Sequence, residues 1–540
     1  MIPPALRRLR TRLSSPRPAA IAKRCVLFVH RWLGVSLSLL LTMWFLSGIV
    51  MMYWKFPSLD RVDYLSHAPR LDAAKIAVAP AEAFKGQAPP SFTLATFDGR
   101  PVYFAGSTMI YADDGSGAGA VDQAMADRAA AAWAARPLSE AARSVMQDVD
   151  QWTLGDGLRN LLPLHKYAWP DGQEVYVDPK TADVVQYTTS RSRFWAYLGA
   201  IPHWLYFPAL RTHDSIWIVL ITWGALFGLI TIILGLIAGL WMLSPRRRYR
   251  RANSPAALPY SGWKRRHVIF GLVGGITAAT WTISGMASLQ PFGVEKWLLK
   301  HTVTDEMDNE EYKRAFNALS GLLLDGPRDL AEYDARRPAT AIAALRGFDV
   351  KSLEFVSLEG KPLYLATDGH GDSRLIPMDG EPREMVNVED LARRIHAAVG
   401  DSVRLNVLDR YDSYYRDRKG RLPLPVIGLG INDAVRTRYY VDPRTVSVIE
   451  SYSSSNWVHR WLHHGLHSFD VPWLYNYRPL WDIVMVTLLL TGAALCATSL
   501  LLAYRVLARK AFVVASQLMG KSAGLPGAAA REAGEARRTF

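Results

Sequence analysis

Cysteine is nearly absent, at two in 540 residues. That excludes a disulfide scaffold and any zinc or iron–sulfur module built on cysteines. Cys25 and Cys496 lie in or beside apolar runs, where cysteine acts as a small hydrophobe. A P-loop, a dinucleotide fingerprint, GxSxG and HExxH are all missing. DGSGAGA at 114–120 follows no βαβ pattern and reads as a flexible turn. Acidic residues are missing from two basic stretches and scarce in a third. Residues 1–31 hold eight Arg/Lys and 244–266 hold eight, both without an acid, and the tail from 505 holds seven against two acids. Hydrophobic residues make up 50% of the chain, which excludes disorder, and charged residues 21%, which excludes a chain sunk mostly in lipid.

Four apolar runs are long enough to cross a bilayer: about 26–53, 214–243, 267–290 and 479–504. The first is too long for a signal-peptide core and no small-residue cleavage site follows it. The positive-inside rule puts the three basic stretches in the cytoplasm. The expected order is a basic N-terminus (1–25), a span, an external domain (54–212), a span (214–243), a basic linker (244–266), a span, a second external domain (291–478), a span and a cytoplasmic tail (505–540). The basic flanks therefore meet a lipid membrane and not nucleic acid.

The chain repeats itself. His30, Gly34, Trp44, Ser47 and Gly48 recur 237 positions later as His267, Gly271, Trp281, Ser284 and Gly285. DGRPVYF at 98–104 recurs as EGKPLYL at 359–365, and YVDPKT at 176–181 as YVDPRT at 440–445. The last offset, 264, pairs His203 with His467, Pro208 with Pro472 and Trp217 with Trp481. Short alternating strands with turn signals and a few helical stretches make each external segment α+β. The expected fold is an integral membrane protein with four transmembrane helices in two parallel repeats, related by a pseudo-twofold axis along the membrane normal, with two external α+β domains.

Repeat-related histidines then face each other across that axis. His30 and His267 lie near the cytoplasmic ends of the first and third spans, and His203 and His467 just before the second and fourth. Two facing imidazoles can supply trans axial ligands to one haem. Two such levels predict two haem b, and the absence of CxxCH excludes covalent attachment. Gly48 follows His30 by 18 residues, five helical turns or about 27 Å along one face. Gly48 and Gly285 are therefore expected to border the outer haem as notches for a flat macrocycle. Close helix packing is the competing reading of Ser-Gly. In HRWLHHGLH (459–467), His463 or His464 could replace His467, and His459, His463 and His467 could instead share an α-helical face and hold zinc or copper. Arg31, Arg265 and Arg266 read as membrane anchors, or as partners of the inner haem's propionates. His165, His213 and His370 have no counterpart in the other half and read as surface histidines.

HRWLG…WxxSG, YVDPKTADVV, IPHWLYFP and GLHSFD…YRPLWD resemble the PepSY-associated transmembrane helix family over roughly 24–505, and the chain is similar to the bacterial inner-membrane ferric-siderophore reductases of that family. The resemblance implies four membrane helices, two periplasmic PepSY-like domains and two b haems, with His30, His267, His203 and His467 on its motif positions. The expected activity is transmembrane, haem-dependent reduction of a periplasmic acceptor such as a ferric siderophore, for iron acquisition. The electron donor would be a quinol or a cytoplasmic flavoprotein. The competing class is a non-redox periplasmic sensor or peptidase-regulating protein anchored by its helices.

Overall fold

The computed structural model describes residues 18–522, apart from 107, 120, 247, 252–253, 290–315, 401–402, 418–419, 432–435, 454–455 and 457–458. The expected start of the second external domain, 291–315, and both chain ends lie outside the described residues. Among the described residues, four helices are long and apolar enough to cross a membrane: α1 (Pro18–Met51), α2 (Asp214–Met242), α3 (Gly262–Ala287) and α4 (Leu480–Ser522). Apolarity marks only the stretch that lipid can bury, so the helices outrun the sequence boundaries. α1 begins eight residues early, and α4 continues 18 residues into the expected tail, because Arg and Lys propagate a helix well.

The helices pack as a ring in which α1 touches α2 and α4, and α3 touches α2 and α4. Glycines set the closest approaches. A Cβ on Gly275 would lie 2.6 Å from Leu236, and one on Gly239 3.0 Å from Leu272. Small residues let membrane helices approach so closely. Leu41, Phe45, Ile232, Trp281, Trp481 and Leu489 fill the centre.

Among the described residues, all β-sheets except the hairpin Tyr249–Arg251/Ser254–Ala256 lie in the segments between α1 and α2 and between α3 and α4. Each segment has its own antiparallel four-stranded meander: Ala142–Met146, Leu164–Ala168, Glu174–Val177 and Val184–Thr188 in the first, and Val403–Leu408, Val426–Ile431, Arg438–Asp442 and Ser447–Tyr452 in the second. Both have a register shift inside YVDP, at Tyr176/Val177 and at Tyr440/Val441. A capped helix accompanies each. Asp122 accepts from Met125 N to start Gln123–Ala134, and Asn387 from Asp390 N to start Val388–Val399.

The third large sheet differs from the expectation of two separate domains. Its seven strands come from both segments, joined where Thr93–Phe97 pairs antiparallel with Ser352–Leu358. Phe92 stacks on Phe355 at 4.1 Å beside this seam. Alternating apolar faces on each hairpin leave an edge strand that must be paired or covered, and each edge covers the other.

Candidate functional site: two histidine pairs in the helix ring

His30 on α1 and His267 on α3 meet inside the ring, with ring centroids 6.1 Å apart and planes at 38°. At the sheet-bearing end, His203 and His467 meet with centroids 6.2 Å apart and planes at 71°. His203 sits on the short helix Ala200–Trp204, which starts at Gly199. A Cβ on Gly199 would come 2.9 Å from Val50, so only glycine lets this segment lie on α1. His467 ends a π-helix, His459–His467. Its i→i+5 turns replace the expected α-helical face. His463 lies 5.2 Å from His467, and both His463 and His464 lie about one ring-width from His459, at 5.3 and 5.0 Å. Among the described residues no group of three or more His, Cys, Asp or Glu is arranged to hold a metal ion.

The hydrogen bonds of the four rings follow one rule. His30 Nδ1 lies 2.9 Å from the Thr231 carbonyl oxygen, which can only accept. His267 Nδ1 lies 3.2 Å from Thr498 Oγ1, whose own proton goes to Leu495 O. His203 Nδ1 lies 3.0 Å from Ser47 Oγ, whose proton goes to Met43 O. His467 Nδ1 lies 3.2 Å from both the Trp281 carbonyl and Ser284 Oγ. Partner chemistry therefore puts the hydrogen on Nδ1 in all four rings and makes Nε2 the atom that carries the ring's lone pair. Metal-ligating histidines are held in this way by their other nitrogen.

WxxSG thus acquires a role the sequence reading missed. Its serine and its tryptophan backbone orient the outer imidazole in both halves. Its glycine makes room for that ring. A Cβ on Gly48 would stand 3.6 Å from His203 Cε1, and one on Gly285 3.2 Å from His467 Cε1. The notch expected to receive a macrocycle edge is filled by the imidazole itself. Gly235 does the same for the inner pair, its Cβ position lying 2.6 Å from His30 Cε1. The two repeated tryptophans brace the outer segments. Trp217 Nε1 donates to Trp204 O at 2.8 Å, and Trp481 Nε1 to Ser468 O at 3.0 Å.

Outside the helices, burial with His467 alongside pushes the His463 imidazole down to about 4, and burial with Arg416 alongside pushes His464 down to about 2. Both rings stay neutral at physiological pH. Asp470 is buried, with Arg416 Nη1 2.8 Å from its carboxylate and Arg460 Nη2 2.7 Å from its carbonyl. Arg266 lies over Trp263 at 4.5 Å. His213 and His370 are exposed, and His165 is half-buried on a strand of the first meander.

A four-helix ring with paired histidines at two levels, carrying β-sheet domains at one end, defines a membrane protein. The PepSY-associated TM region family matches residues 27–344, more than half of the chain, and the chain belongs to that family. The match includes His30, His203 and His267, while His467 lies beyond it. No curated protein matches the sequence.

Proposed function

We propose that the chain is a di-haem b electron-transfer protein of the bacterial inner membrane that reduces a periplasmic acceptor, most fittingly a ferric siderophore. In this reading the two halves are parallel repeats about an axis along the membrane normal. Both termini and the basic linker are cytoplasmic, and the sheets are periplasmic. One numerical agreement carries the haem assignment. With metal–nitrogen bonds of about 2.0 Å and about 1.1 Å from nitrogen to ring centre, two imidazoles holding one iron between them would have centroids about 6.2 Å apart. The two pairs stand at 6.1 and 6.2 Å. Ordinary aromatic contact also spans 4.5–7 Å, and the Nδ1 atoms, each bonded within the protein, lend the haem reading further support.

His30 and His267 would hold the inner haem, and His203 and His467 the outer. Haem when bound supplies one-electron exchange between ferric and ferrous iron, and the protein sets its potential through ligands, burial and hydrogen bonds. Thr231, Thr498, Ser47, Ser284 and Trp281 keep the four rings in the ligating tautomer. Buried apolar side chains between the levels, Phe45 and Trp281 among them, exclude water from the path. The donor would be a quinol or a cytoplasmic flavoprotein. Hard oxygen ligands bind Fe(III) more tightly than Fe(II), so reduction would release iron from the chelate.

Full-length protein purified in detergent from haem-replete cells should contain two haems per chain, with α and β bands that sharpen on dithionite reduction. His30→Ala or His267→Ala should each remove one haem, His203→Ala or His467→Ala the other, and any of the four should stop reduction of a ferric hydroxamate. A colourless wild-type protein would replace this reading with a non-redox membrane sensor.

A further inference from the structure

Thirteen buried side-chain nitrogens and oxygens among the described residues have no hydrogen-bond partner, and five of them surround one side of the outer histidine pair: Trp281 Nε1, Arg416 Nε, Arg460 Nη1, His463 Nδ1 and Tyr475 Oη. They belong together. The Trp281 carbonyl bonds His467, and the His463 ring lies 5.2 Å from it. Arg416 and Arg460 both grip Asp470. Tyr475 shares an apolar cluster with Trp281 and Phe469, and its phenol feels the charges of Asp470 and Arg416. Arg460 is 1% exposed. Three of the five atoms are N–H groups that can only donate, and the phenol donates readily. A buried donor left without an acceptor destabilises the fold unless something else satisfies it. Glu450, half-buried on its strand, also stands within electrostatic reach of Arg416. The observation is therefore one of unused donors rather than of net charge.

The corresponding positions of the first half are filled differently. By the 264-residue offset, His459, His463 and His464 correspond to Trp195, Gly199 and Ala200. Trp195 stacks on Trp54 at 5.3 Å, and Gly199 is pressed against Val50. Tyr475 corresponds to Arg211, whose Nη atoms are paired with Asp156 and Asp214 while its Nε, like that of Arg159, is buried without a partner.

We propose a carboxylate site on the second-half side of the outer pair, built from Arg416, Arg460, Tyr475, Trp281 and His463, that takes an anionic oxygen group. A carboxylate offers about four lone-pair sites, and a guanidinium fork matches its geometry. Two sources share this chemistry: a propionate of the outer haem, which rests on the di-haem reading, and the anionic oxygens of the iron chelate to be reduced. The site would make the outer centre one-sided, with its acceptor or its propionate held by the second half alone.

Full-length Arg416→Gln and Tyr475→Phe, the latter losing a single hydroxyl, separate the sources. The measurements are haem per chain, the midpoint potential of each haem by spectroscopic titration, and KM for ferric citrate. A propionate held by these donors predicts a lower outer-haem potential in both variants, with the inner potential and KM unchanged. A bound acceptor predicts unchanged potentials and a KM raised about tenfold by loss of a bond to a charged group. If Arg416→Gln does not assemble, Tyr475→Phe decides. Both haems present with wild-type potentials and KM in Tyr475→Phe and any assembled Arg416→Gln would overturn the site and leave the di-haem reading intact. A colourless wild-type protein removes the di-haem reading and the propionate source. Citrate calorimetry then reads the site directly, supporting it if wild type binds and Arg416→Gln does not, and overturning it if wild type binds nothing.

Discussion

At the scale of single residues, the bonds to Nδ1 are the most exposed part of the argument. Outer-shell partners of a ligating histidine typically matter 10–100-fold in metal affinity. Ser47→Ala removes the hydroxyl beside His203 Nδ1, and Ser284→Ala the hydroxyl beside His467 Nδ1, with the Trp44 and Trp281 backbone bonds left in place. Haem transfer to an excess of apo-acceptor protein should therefore quicken about tenfold or more at the outer site in both variants, and not at the inner site in either. Faster loss from the inner site would disprove the pairing. The glycines give a second ordering. A methyl added at Gly235 would stand 2.6 Å from His30, at Gly285 3.2 Å from His467, and at Gly48 3.6 Å from His203, an ordinary contact. Haem occupancy after purification should fall most in Gly235→Ala, less in Gly285→Ala and least in Gly48→Ala. Four histidines and two glycines were readable from their spacing in the repeat. Gly235, Thr231 and Thr498 were not, because α2 and α4 carry no motif there. Their importance comes only from lying opposite a ring that another helix supplies.

Secondary-structure elements were legible where period and caps agreed, and less so where burial decided. The YVDP strands were readable, but not the polar network that anchors them. Tyr176 donates to the Asp150 carboxylate at 2.7 Å, Lys166 Nζ lies 3.0 Å from it, and Trp152 N bonds its other oxygen at 2.9 Å. Burial alone would raise the Asp150 pKa. The bonds from Tyr176 and Lys166 outweigh it and hold the carboxyl below its usual range. A depressed folded-state pKa contributes stability that is present above the unfolded value and lost as pH falls through the folded one. Asp150→Asn should therefore cost about 1–3 kcal/mol near neutrality. Thermal melting of the purified protein should show the gap between variant and wild type closing as pH drops below about 4. A gap of constant size down to strong acid would mean that the carboxylate charge is not what stabilises the strand. The π-helix at 459–467 was beyond the sequence, since an α-helical period fits HRWLHHGLH equally well. What distinguishes them is the neighbouring contact of His467 with Trp281 and Ser284 on α3.

For the whole molecule, the duplicated pattern named the bundle but not the way its halves are stitched. Two separate domains were the natural expectation, because each sequence segment carries complete hairpins. In the structure Thr93 pairs with Glu354, and the hairpin alignment of 98–104 with 359–365 makes these two residues counterparts. A strand meeting its own counterpart antiparallel is what an isologous dimer interface produces. That seam would hold the sheet regions in register above the helices, so that α1 and α3 present His30 and His267 to each other from opposite sides of the ring. Orientation in the membrane then becomes a single binary choice for the entire chain. Lys264 lies in the first turn of α3, close to the basic linker, and Glu381 is exposed in the sheet region at the other end. With both native cysteines replaced by serine, a membrane-impermeant maleimide should label Glu381→Cys in intact spheroplasts and Lys264→Cys only after permeabilisation. The reverse pattern would turn the protein over, placing the sheets in the cytoplasm. The outer pair would then face cytoplasmic partners, and a periplasmic ferric chelate could not be its acceptor.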